Sequence, residues 1–166
     1  MSEHRVGLGI DVHRFSPDRP LILGGVSVPH HAGLLGHSDA DVLTHAICDA
    51  LLGAAGLGDI GTHFPDTDEA YRGASSIGLL AEVAAKLAEA GFCPLNVDAT
   101  VIAESPKLTP HFPEMKARLA ETLRVEVDRV GLKATTSEGM GALGRGEGIA
   151  ALAVALIGRA RPDPCT

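Results

Sequence analysis

Near the start of the chain Val6, Leu8, Ile10 and Val12 alternate with Gly7, Gly9, Asp11 and His13, the period-2 pattern of a half-buried strand. Side chains two apart on a strand point the same way, so Asp11 and His13 share one face. Residues Leu21 to Leu23 and Val26 to Val28 flank Gly24-Gly25, which predicts a short hairpin ending at Pro29. After a loop rich in His and Gly, Ser38 and Asp41 form a capping-box-like start. Leu43, Ile47, Ala50, Leu51 and Ala54 then recur at helical spacing, predicting a helix from about 39 to 55.

The stretch 57–74 has no sustained period and carries Gly58, Gly61, Pro65 and Gly73, the mark of an irregular, functional or mobile loop. A helix is predicted over 75–90, stopping at Gly91. Leu95, Val97, Ala99, Val101 and Ala103 alternate as a strand, and Pro113 opens a short helix running to about Leu123. Val130, Leu132 and Ala134 predict another strand, and Ile149 to Ile157 an apolar last one, with a polar, glycine-rich stretch at 135–148 between them. Strands interspersed with helices give an α/β chain, here an α+β two-layer sandwich with one mixed sheet packed against helices. No repeat, linker or low-complexity segment divides residues 1–166, so a single domain is expected. The last strand is apolar on both faces, more than a surface helix covers at a sheet edge, and burial between subunits is the natural alternative.

Composition narrows the chemistry. Apolar residues make up 45% of the chain, yet it has no Trp, one Tyr and four Phe, so aliphatic side chains and Ala must build the core. A formal charge of −7 disfavours DNA or RNA, whose binding rests on clustered Lys and Arg. Cys48, Cys93 and Cys165 lack CxxC spacing, and neither a signal peptide nor a membrane-length apolar run is present. A reducing cytoplasmic setting fits best.

Asp11 and His13 can converge on one ion, and His45 on the following helix is a third candidate ligand. Asp41 and Asp49 lie four residues either side of His45, where a carboxylate is expected to accept the second ring N–H and fix the tautomer. Two His and one carboxylate leave a tetrahedral site one ligand short, the pattern of catalytic zinc. The same residues also fit a solvated strand end with His45 hydrogen-bonded to Asp41 or Asp49, and spacing alone leaves both readings open. His30, His31 and His63 sit in loops without partners at strand or helix spacing and are expected to be polar lining or solvent-facing groups. The run Gly7 to Asp11 lies in a strand pattern without the helix opening of a dinucleotide fingerprint.

Longer motifs carry a resemblance. Gly9 to Phe15, Gly36 to Val42 continuing to His45, Asp59-Ile60-Gly61 with Phe64 to Asp68, and Lys133 to Thr136 with Glu138 and Gly144 to Gly148 follow one another in the order seen in the 2-C-methyl-D-erythritol 2,4-cyclodiphosphate synthase family. The chain resembles that family from residue 7 to residue 157. The resemblance implies zinc on Asp11, His13 and His45. It places His37, Ser38, Asp59, Ile60, Gly61, Phe64, Pro65, Asp66, Thr67 and Asp68 around the methylerythritol and its phosphates. It assigns Ala103, Glu104, Ser105, Pro106, Lys107, Leu108 and Thr109 to a cytidine pocket, largely through backbone groups. Thr135, Thr136, Ser137 and Glu138 would hold the diphosphate and a second ion, Mg²⁺ or Mn²⁺, with Arg145 nearby. Ala142 stands where many members carry Phe.

The family resemblance further implies a homotrimer whose sheets meet around its axis and whose active sites lie between subunits. The implied reaction is attack of the 2-phosphate of 4-diphosphocytidyl-2-C-methyl-D-erythritol 2-phosphate on its β-phosphorus, releasing CMP and a cyclic diphosphate. Because that nucleophile is already an ionised phosphate, the chemistry asks for charge stabilisation rather than a strong base. His37 and Thr136 are the expected donors to the transition state. The alternative is a metal-dependent phosphohydrolase of a nucleotide-linked substrate, in which the open zinc position activates water.

Overall fold

The computed structural model describes residues 3–159, so Cys165 lies outside the described residues. The strands are β1 (His4–Ser16), β2 (Leu21–Leu23), β3 (Val26–Val28), β4 (Gly33–Leu34), β5 (Phe92–Ile102), β6 (Val130–Thr135) and β7 (Gly148–Arg159). The helices are α1 (Val42–Ala55), α2 (Ile60–His63), α3 (Ser76–Glu89), α4 (Phe112–Leu123) and α5 (Gly141–Gly144). One mixed sheet runs in the order β4-β1-β7-β5-β6, and β2 and β3 form a separate hairpin. Its central strand β7 is antiparallel to both neighbours, and β5 and β6 are parallel. The apolar last strand is thus the middle of the sheet rather than an edge.

Helix α1 packs across β1 and β7, α3 against α1 and β5, and α4 against α3 and β6, so the three long helices lie on one face of the sheet. Small residues set how close α1 comes. Along the inner face Gly7 pairs with Ala155, Gly9 with Ala153 and Asp11 with Ala151. A Cβ added to Gly9 would lie 2.0 Å from the Ala46 carbonyl oxygen, and one on Gly7 2.0 Å from that of Ala50. Backbone therefore meets backbone where a side chain would force the layers apart.

The alternation in β1 is as expected, but its apolar half points outward. Val6, Leu8, Ile10 and Val12 are 67%, 61%, 55% and 59% exposed, and they continue across the sheet through Leu156, Val154 and Leu152. The glycines are buried because the helix needs their missing side chains, and this outweighs the ordinary sorting of apolar groups inward.

Asp41, rather than Ser38, starts α1. Its carboxylate accepts from Thr44 N at 3.0 Å, Thr44 Oγ1 at 2.7 Å, Gly24 N at 3.0 Å and Gly25 N at 2.7 Å. Gly24 and Gly25 have φ of 55° and 72°, which suits the tight turn of the hairpin and turns both N–H groups toward that carboxylate. The helix accordingly begins at Val42, a turn later than the 39–55 expectation. The 57–74 stretch contains the single turn of α2 and a 3₁₀ turn at Glu69–Tyr71. Among the described residues no helix is long and apolar enough to cross a membrane.

Candidate metal centre and adjoining pocket

The strand period and the α1 packing together bring Asp11, His13 and His45 to one point. The Asp11 carboxylate Oδ2 lies 2.9 Å from His13 Nε2 and 3.0 Å from His45 Nδ1, and the two ring nitrogens are 3.3 Å apart. Ligand atoms about 2.0–2.1 Å from a tetrahedral ion stand roughly 3.3 Å from one another. The three donors are therefore spaced to within a few tenths of an ångström for one divalent ion, the only such group of donors among the described residues. His13 Nδ1 donates to the Leu35 carbonyl at 2.7 Å, so Nε2 faces the cluster and, once its proton is lost, offers a lone pair there.

Electrostatics follow from this crowding. Burial opposes ionisation of Asp11, yet hydrogen bonds from His13 and His45 outweigh it and hold the carboxyl well below the ordinary range. Burial likewise lowers the affinity of His13 for a proton, but its bond to Asp11 prevails and its pKa is raised. A proton on His13 compensates the Asp11 carboxylate, the part a divalent cation between the two would also play.

Asp41 and Asp49 do not take the role expected beside His45. Asp41 is fully buried and spends its oxygens on the helix start and the hairpin, and burial raises its pKa. Asp49 accepts from Ile60 N at 2.8 Å, fixing the start of α2, and burial raises its pKa as well. The outer nitrogen of His45, Nε2, instead faces Ser76 Oγ at 2.9 Å and Ser38 Oγ at 3.1 Å. Ser76 was not legible as a site residue, lying 31 positions from His45.

A pocket of about 450 Å³ opens beside these three side chains, a size suited to a small molecule. His37, Ser38, Asp49, Ile60, Gly61, Phe64, Pro65 and Asp66 line it, along with Gly36, Tyr71 and Leu79, which sequence reasoning missed. The only tyrosine of the chain, standing in a glycine-flanked loop, was the available signal for Tyr71; its ring meets Phe64 edge-on at 5.3 Å. Asp59, Thr67 and Asp68 are outside the lining. Asp59 caps α2 through Thr62 N and Oγ1, bonds that lower its pKa, and the Asp68 carbonyl accepts from His37 Nε2 at 3.1 Å.

The remaining site residues gather elsewhere. Ala103 to Thr109 follows β5, and Thr135 to Arg145 follows β6. Glu104 joins the two loops, accepting from Ser137 N and Oγ at 2.9 Å and from Gly139 N at 3.3 Å, which lowers its pKa. Thr136 Oγ1 donates to Glu138 at 3.1 Å, and Arg145 pairs with Glu147 at 2.6 Å. Both clusters lie at one end of the sheet, since Val12, Ala150, Ile102 and Thr135 share a rung. Three strand spacings, about 14 Å, separate the first of those residues from the last. Within one chain the Asp11, His13 and His45 group and the loops after β5 and β6 are two separate clusters.

Comparison with known proteins places the chain. The model of the YgbB family matches residues 4–158. A 2-C-methyl-D-erythritol 2,4-cyclodiphosphate synthase from Alkaliphilus metalliredigens is 59% identical over 155 residues, 93% of this chain and 98% of its own. A solved 2C-methyl-D-erythritol-2,4-cyclodiphosphate synthase in its CDP-bound form superposes with a TM-score of 0.85 at 41% identity, covering 92% of this chain and 99% of that one. The bifunctional IspDF from Campylobacter jejuni superposes with a TM-score of 0.92 at 45% identity, with 96% of this chain matching 43% of that longer chain. With the family model spanning nearly its whole length, and relatives this similar matching end to end, the chain belongs to the YgbB family.

Proposed function

We propose that the protein converts 4-diphosphocytidyl-2-C-methyl-D-erythritol 2-phosphate to 2-C-methyl-D-erythritol 2,4-cyclodiphosphate and CMP, a cyclising phosphorus-oxygen lyase step of non-mevalonate isoprenoid synthesis in the cytoplasm. The observation that carries this reading is the Asp11, His13 and His45 donor set in a chain of this family. Asp11, His13 and His45 would hold a zinc ion and Glu138 a Mg²⁺ or Mn²⁺ ion, and the two would supply positive charge to the substrate's phosphates.

The chain's own groups position and exclude. The pocket walls Phe64, Pro65 and Ile60 keep water from the methylerythritol, and the Gly61 backbone lets it approach closely. His37 and Thr136 donate to phosphate oxygens as charge moves onto them, with Ser38, Asp66 and Thr135 orienting the reacting groups. The loop Ala103 to Thr109 receives the cytidine. No side chain needs to act as a strong base, in keeping with a net acidic protein.

The two clusters act as half-sites, completed between subunits of a homotrimer. Support comes from the 14 Å gap and from the uncovered apolar face of β1 and β7, an exposed patch that asks for a partner. Phosphorus NMR of the products from the nucleotide-linked substrate tests the reading. Equimolar CMP and a cyclic diphosphate are expected; a linear hydrolysis product overturns it in favour of a phosphohydrolase, the reading that relatives named as cyclising enzymes do not favour.

A further inference from the structure

We propose that Ser76, held by Asp39, is a positioning residue that fixes the tautomer of His45 and thereby sets the affinity of the metal centre, an inference that rests on the metal reading above. The first residue of α3, Ser76 is fully buried. Its Oγ donates to Asp39 Oδ1, and its backbone N–H donates to Asp39 Oδ2 at 3.0 Å. An ionised carboxylate only accepts, so the single hydroxyl proton of Ser76 is committed to Asp39. What Ser76 Oγ turns toward His45 Nε2, 2.9 Å away, is a lone pair.

Once a cation takes the place of the proton between His45 Nδ1 and Asp11, His45 therefore keeps its proton on Nε2. Its other nitrogen, Nδ1, then offers a lone pair on the side where Asp11 Oδ2 and His13 Nε2 converge. Ser38 Oγ, at 3.1 Å from the same Nε2, cannot impose this choice. It accepts from Ala40 N at 3.1 Å, but its own proton is not committed to a carboxylate and can turn either way. The arrangement is a carboxylate–histidine–metal support with a serine interposed.

The relay also joins distant parts of the chain. Asp39 N donates to the Ala74 carbonyl at 3.0 Å and Gly73 N to that of His37 at 2.8 Å, so the loop lining the pocket is pinned to the relay at its far end. The seam and the Ser76–His45 contact occur together in the structure.

Zinc affinity of the full chain, measured by competition with a chromophoric chelator, tests the relay. Ser76→Ala and Asp39→Asn are each expected to weaken zinc binding roughly 10–100-fold, with far-UV circular dichroism unchanged. Ser75→Ala, altering the exposed neighbour, should bind zinc like the parent. Asp39→Asn leaves Ser76 in place should the buried alanine fail to fold, and affinity within twofold of the parent in either folded variant overturns the proposal. Nitrogen-15 histidine NMR of the zinc-loaded parent gives a second readout: the Nε2 proton on His45 is expected, and zinc on Nε2 sinks the idea. A parent that binds no zinc removes the metal centre itself, whereas a parent and Ser76→Ala that bind it equally remove only the relay.

Discussion

The two faces of β1 obey opposite rules. On the inner face Gly7 and Gly9 are buried and polar Asp11 and His13 follow them toward α1, while on the outer face four branched aliphatic residues stand in solvent. Hydrophobicity alone would have turned the strand over. What decides it is space, because α1 presents the backbone of Ala46 and Ala50 at a distance that no side chain on β1 tolerates. The candidate ligand pair Asp11 and His13 at the end of such a strand inherits its aim from two glycines, and the same choice leaves the outer face apolar and exposed.

The sharpest way to break this comparison is to exchange the demands of adjacent residues. Gly9→Ala places a methyl 2.0 Å from a carbonyl oxygen, so α1 must lift off the sheet. A loss of about 4 kcal/mol or more is expected, read by urea denaturation, and stability near that of the parent would refute the packing argument. Leu8→Asp, one position away and 61% exposed, should leave the fold intact by circular dichroism. Sedimentation should instead show monomers, and turnover should vanish because the half-sites no longer meet. If Leu8→Asp unfolds the isolated chain as readily as Gly9→Ala, the two faces are not distinct.

On the inner face, His45→Ala should lower turnover roughly a thousandfold, about 4 kcal/mol of transition-state stabilisation. Zinc content by elemental analysis should fall with it while the assembly keeps its mass. The smallest effect is on pH. Zinc requires unprotonated His13, whose pKa is raised, so the competing proton binds at a higher pH than on an ordinary imidazole. Affinity should decline about tenfold per unit once the pH falls below that raised value, beginning above the usual pKa of about 6.5. Zinc binding that stays flat from pH 8 to about 6 would show that His13 is not the competing group.

Much of the fold can be read from the chain because its elements are short and cleanly punctuated. The Gly24-Gly25 hairpin, the stop at Gly91 and the alternation of β5 each depend on local chemistry. The inward face of β1 does not, since it is settled by alanines about forty residues away on α1. The start of α1 shows the same limit: Ser38 and Asp41 both look like caps, and only the hairpin, whose N–H groups need the Asp41 carboxylate, separates them. Freed from capping, Ser38 faces His45. In the candidate site, residues grouped by strand period or by ordered motifs were legible. The separation of Ala103 to Thr109 and Thr135 to Arg145 from the metal group was not, because it depends on the strand order β1-β7-β5-β6, which no spacing along the chain encodes.

The seam of Gly7 and Gly9 against Ala46 and Ala50 also bears on motion. Where two backbones touch there are no rotamers to hop and no side chain to yield, so the amides in the middle of α1 can exchange with solvent only when the layers separate as a whole. Deuterium uptake should therefore be slowest at 46–54 and much faster at 65–74, giving the pocket one wall that opens locally and one that opens only with the entire domain.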